Sequence, residues 1–91
     1  MAIVIAPDGT RTTLTPADGR EFTLPEMQAV VGGYIELVTL NDHQQMWVNE
    51  DGHRLGLEIN LIATQLYHMA GGRPEYPVLG TVLITSGNEV T

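Results

Sequence analysis

Apolar residues come along this chain in short bursts, cut by Gly, Pro, Asp and Asn, and the bursts alternate between the strand period and the helix period. Residues 2–6 are an unbroken apolar run rich in β-branched side chains and closed by Pro7-Asp8-Gly9, which predicts a buried strand and a tight turn. Residues 10–14, polar and rich in Thr, predict a more exposed returning strand before Pro16-Ala17-Asp18-Gly19 interrupts it. Thr23-Leu24-Pro25-Glu26 has the spacing of a capping box, so a helix starts there. Leu24, Met27, Val30 and Val31 then share one face, and Gly32-Gly33 supplies the stop. Residues 34–40 and 45–48 flank the polar connector Asn41-Asp42-His43 and predict a second antiparallel hairpin. Asn49-Glu50-Asp51-Gly52 reads as a turn. Ile59, Ile62, Ala63, Leu66 and Met69 then recur at helical spacing up to Gly71-Gly72 and predict a longer helix. The stiff segment 73–77, bracketed by Pro, leads into residues 78–84, which are apolar on both alternating faces and predict a central strand. Residues 86–91 predict a flexible tail.

These elements assemble into an α+β fold: a mixed, mostly antiparallel sheet of about five strands with two helices on one face. The runs 2–6 and 78–84 are too apolar for sheet edges and belong inside the sheet. The uncovered face would carry Tyr34, Trp47 and the Thr side chains, and would offer a surface for homodimerisation. A chain of 91 residues fits one domain, 1–91, with a modest core that buries roughly 60 to 65 % of the unfolded surface.

Composition narrows the function more than the fold. No apolar run is long enough to span a membrane, and the start Met1-Ala2-Ile3-Val4-Ile5 lacks the basic residues of a secretory signal, so a cytoplasmic location is expected. Cysteine is absent, which removes disulfides, thiolate metal sites and thiol nucleophiles. Eleven Asp and Glu face four Arg and no Lys, for a net charge of −7. Direct nucleic-acid binding is not expected from such a balance, because phosphate neutralisation needs clustered cations. A protein partner with a basic surface suits it better, although the same charge also serves solubility.

Candidate chemistry is sparse. Ser86 and the three His at 43, 53 and 68 fall in unrelated settings, so neither a nucleophile-base pair nor a zinc pattern emerges, and no cofactor or metal is expected. Glu50 and Asp51 lack the alternating oxygen ligands of a calcium loop. The two Gly pairs follow helices, whereas phosphate loops precede them. A helix start near residues 58–60 would present free amides beside Asn60, with Arg54 or Arg73 as a charge partner for an anion, and capping is the commoner use of such an Asn. Trp47 and Tyr34 serve either the core or an interface.

From Met27 onward the order of segments resembles the family known as domain of unknown function 3846, common in phages and mobile elements of bacteria. The residues that carry the resemblance are Val31-Gly32-Gly33-Tyr34-Ile35-Glu36, then Val48-Asn49-Glu50-Asp51-Gly52, then Leu57 with Asn60, then Leu79-Gly80-Thr81-Val82-Leu83-Ile84. The opening strand fits more loosely, and the stretch 16–20 is longer than the pattern. The family brings no catalytic residues. Its setting implies a small binding protein, with a counter-defence inhibitor that blocks a host protein as the leading expectation. In that reading Glu36, Glu50 and Asp51 meet a basic surface, with Trp47 and Asn49 beside them. The alternative is an oligomeric sponge for a small nucleotide, held by amides near Asn60 with Arg54 or Arg73. An uncharacterised enzyme is the third reading.

Overall fold

The computed structural model describes residues 2–86. Its first hairpin pairs β1 (Ala2–Ile5) with β2 (Arg11–Leu14), and Ala2 faces Leu14 while Ile5 faces Arg11. The turn between them closes because the Asp8 carboxylate accepts the Thr10 N–H at 2.9 Å. Helix α1 (Leu24–Val31) starts on the capping box read from the sequence: Thr23 Oγ1 accepts the Glu26 N–H at 3.3 Å and Glu26 Oε1 accepts the Thr23 N–H at 2.9 Å. The other carboxylate oxygen of Glu26 accepts the Ala17 N–H at 2.9 Å, which ties the preceding loop to the helix. Gly32, at φ 80°, ends α1 in the left-handed conformation.

The second hairpin joins β3 (Ile35–Thr39) to β4 (Gln44–Asn49), with Leu37 facing Trp47 and Val38 facing Met46. The Asn49 side-chain carbonyl accepts the Asp51 N–H at 2.8 Å and bends the chain into the short helix α2 (Gly52–Leu55), where a plain turn is expected from the sequence. Helix α3 (Leu61–Met69) follows, capped by Asn60. Ile62, Ala63, Leu66 and Tyr67 form its packed stripe, whereas Met69, expected on that stripe, is 84 % exposed at the helix end. The chain closes on β5 (Val82–Ser86).

Strand order is β2-β1-β5-β4-β3, so β1 and β5 lie inside the sheet as their apolar sequences require. Each of the four pairings is antiparallel, and the mixed sheet expected from the sequence is thereby corrected to an antiparallel one. The expected strand 78–84 is shorter at its start, because Gly80 sits at φ 83° and breaks the run. Before that break Leu79 makes only an isolated bridge with Ile59, while the Gly80 N–H reaches the Glu58 carbonyl at 2.7 Å. Ser86 belongs to β5, and the remainder of the expected tail, 87–91, lies outside the described residues.

The helices sit on opposite faces of the sheet, not on one. Val82 and Ile84 point with Ile5, Met46 and Val48 toward Ala63 of α3, while Leu83 between them points with Ala2 toward Phe22 and Met27 of α1. A central strand that is apolar at consecutive positions needs a cover on each side, which places one helix per face. The open face expected to carry Trp47 and to support a dimer is therefore covered, since Trp47 packs in the α1 cluster. Tyr34, immediately before β3, remains 68 % exposed.

Candidate functional site

On the α3 side of the sheet, Glu36, Val38 and Val48 form the floor of a groove of about 530 Å³. Its walls are the α2 turn, with Glu50 and His53, and Tyr67 of α3 together with residues 76–79. The far wall is fixed by polar contacts to α3. Thr64 Oγ1 accepts the Val78 N–H at 2.8 Å and donates to the Val78 carbonyl at 3.3 Å, and His68 Nε2 lies 3.3 Å from the Tyr76 carbonyl. Gly72 turns the chain directly across the Tyr67 ring, where a Cβ would overlap the ring atoms, so this crossing requires Gly. The result is an open trough with two carboxylates and two phenol rings around it.

The eight residues singled out from the sequence divide into five at or near the groove and three that point elsewhere. Glu36 and Glu50 line the groove and are exposed. Asp51 and Arg54 stand next to it and engage one another at 3.1 Å, and the Asp51 carboxylate raises the Arg54 guanidinium above its ordinary value, by hydrogen bonding first and by charge second. Arg73 lies over the Tyr76 ring, 5.8 Å from its centroid, so its cation is already in contact with an aromatic face of the wall. Of these five, Glu36 and Glu50 line the groove, while Asp51, Arg54 and Arg73 adjoin its lining residues.

The other three point elsewhere. Trp47 is on the α1 face, and its Nε1–H donates to Thr85 Oγ1 at 3.0 Å. Asn49 borders the groove, but its side-chain amide donates to the Val31 carbonyl at 3.0 Å and holds the end of α1. Asn60 is fully buried. Its amide donates to the carbonyls of Ile5 and Gly80, both at 2.9 Å, while its carbonyl accepts the Ala63 N–H at 3.0 Å. Every polar atom of that side chain is occupied, which corrects Asn60 from a ligand residue to a capping and cross-linking one. The anion site expected there loses an amide to the cap as well.

Sequence reasoning missed His53, Tyr67 and Tyr76 as groove residues. The signal available for Tyr76 was its place in the Pro-bracketed segment, since a stiff loop presents an aromatic ring at low entropic cost. Tyr67 sits next to Leu66 on the helix, and only the position of the 76–79 segment makes it a wall. Among the described residues, no group of three or more His, Cys, Asp or Glu is placed to hold a metal ion. No helix among them is long and apolar enough to cross a membrane.

The family described as Domain of unknown function (DUF3846) matches residues 1–91, the whole chain. The chain belongs to that family. Its members share a description that assigns no activity, so the groove must be read from its own chemistry. The comparisons found no match among curated proteins and none among solved structures.

Proposed function

We propose that this DUF3846 chain is a non-catalytic binding protein that captures a basic segment of another protein and blocks it by occupancy, as a stoichiometric inhibitor does. One observation carries the reading: Glu36 and Glu50 share a groove with Tyr67 and Tyr76, on a chain with net charge −7. A guanidinium entering it meets carboxylates for charge-assisted hydrogen bonds and phenol faces for stacking. The surrounding negative field would speed the encounter. The same carboxylates repel phosphate, and both nearby Arg side chains already have partners, so the groove gives the nucleotide reading no support.

The test uses N-acetyl-arginine amide as probe and the isotope-labelled protein in solution. Chemical-shift changes are expected at Glu36, Glu50, His53, Tyr67 and Tyr76, weaker at high salt and abolished in the double variant Glu36→Gln, Glu50→Gln. Shifts spread evenly over the acidic surface, or groove shifts that survive the double variant, would remove the basis of the proposal.

A further inference from the structure

The groove floor ends at β3, the last strand on its side of the sheet among the described residues. The hydrogen-bond parity of that strand can be read directly. The Glu50 N–H donates to the Tyr34 carbonyl at 2.9 Å, and the Leu40 N–H donates to the Gln44 carbonyl at 3.1 Å. Tyr34 and Leu40 therefore bond inward to β4, and with them, by the alternation of an antiparallel ladder, Glu36 and Val38. The N–H and C=O groups of Ile35, Leu37 and Thr39 consequently point away from the sheet.

An edge of this kind is usually guarded by Lys, Pro, a bulge or extreme shortness. The opposite edge, β2, is short, carries Arg11 and is otherwise mostly Thr. β3 carries a single charge, Glu36, and none of the other guards. It is paired to β4 in continuous register from Ile35 to Thr39, it contains neither Lys nor Pro, and Leu37 is 49 % exposed. Its one charge, Glu36, points to the groove face.

We infer that β3 is the docking edge for the basic partner, which adds to the sheet as a further strand. A residue placed opposite Glu36 shares the groove face with its carboxylate, and those opposite Ile35 and Leu37 share the α1 face with apolar side chains. The chemistry that fits is an extended segment with Arg or Lys at one position and β-branched or apolar residues on either side of it. A second copy of this chain fits less well, because β3 contains no cation to set against Glu36 and each copy brings a net charge of −7. The inference rests on the proposed function and adds the backbone ladder to it.

Two synthetic peptides separate the two ideas. The first is acetyl-Thr-Val-Thr-Arg-Val-Thr-Val-amide; the second has the same sequence with alternate backbone nitrogens methylated, which removes strand donors and keeps the charge. Hydrogen exchange of the labelled protein is expected to slow at the amides of Ile35, Leu37 and Thr39 with the first peptide, and the methylated one is expected to bind about tenfold more weakly or worse. Equal binding of both peptides, with no protection at those three amides, would overturn the edge while leaving the arginine groove intact. If neither peptide nor N-acetyl-arginine amide binds, edge and groove fall together. Protection of the same amides that rises with protein concentration in the absence of peptide would assign the edge to a second copy and overturn the inference.

Discussion

The Asn60 side chain donates a hydrogen bond to the carbonyl of Ile5, 55 positions earlier, at 2.9 Å in a site with no solvent exposure. It donates a second to Gly80 and caps α3 with its oxygen, so a single carboxamide joins the first strand, the second half of the chain and a helix start. Replacement by Ala leaves two buried carbonyls and a helix-start amide without partners. At about 1 to 3 kcal/mol for each such group, Asn60→Ala is expected to cost about 3 to 5 kcal/mol. Thermal unfolding should show a drop of about 15 °C or more. A variant with wild-type melting behaviour would show that the side chain is not structural.

Acid sensitivity should follow the turns and the cap. The carboxyl of Asp8 is held below its ordinary value of 3.8 by the Thr10 backbone N–H, and that of Asp18 likewise by the N–H groups of Arg20 and then Glu21. Glu26 is held below 4.5 by the N–H of Thr23 and then of Ala17. Each is more acidic in the folded chain than in the unfolded one. The stabilisation is therefore complete above the ordinary values and is lost as pH falls through the lowered ones. The melting temperature is expected to be flat on this account above about pH 5 and to decline below it. Glu26→Gln should lower it at neutral pH and flatten the acid decline, as read by calorimetry across the acid range.

Gly72→Ala is expected to destabilise by about 1 to 3 kcal/mol, because the added methyl meets the Tyr67 ring and not open solvent. The same change displaces the wall of the groove, so affinity for N-acetyl-arginine amide should fall beyond what partial unfolding accounts for. Gly19→Ala is the control of choice: a Cβ there meets nothing within 4 Å, so its cost is confined to backbone strain at φ 78°. Parallel melting and titration of the two variants separate the effects.

Trp47 is the chain's single tryptophan, and it lies on the sheet face away from the groove, directly across from Leu37. Emission is expected to stay unchanged when N-acetyl-arginine amide fills the groove. A strand added beside β3 covers Leu37 and the neighbouring indole edge, so the strand-forming peptide should shift emission to the blue. A shift with the small probe would place it on the wrong face.

Local chemistry made much of this fold legible in advance. The Thr23 to Glu26 box, the left-handed Gly32 and the interior positions of β1 and β5 all follow from short stretches of sequence. What stayed hidden depends on long-range geometry. The alternation Val82-Leu83-Ile84 held the two-sided cover in plain view, but two short helices could equally have been placed side by side until strand order was known. Glu36 and Glu50 could be picked out as exposed acids in strand and turn settings. Tyr67 and Tyr76 could not be joined to them, since only the 76–79 segment, fastened to Thr64, brings both rings to the same trough. Asn60 shows the converse, because its place at a helix start allowed both a cap and a ligand role, and nothing local revealed the two distant carbonyls it also holds.

The position of β5 makes the sheet depend on one strand. Among the described strands it alone pairs with both the β1–β2 ribbon and the β3–β4 ribbon, and it follows the other four in chain order. Without residues 82–86 the two hairpins share no strand pairing, and a two-stranded hairpin is marginal in water by itself. Insertion of this one segment joins both halves of the sheet, so the molecule should gain its stability in a single cooperative step.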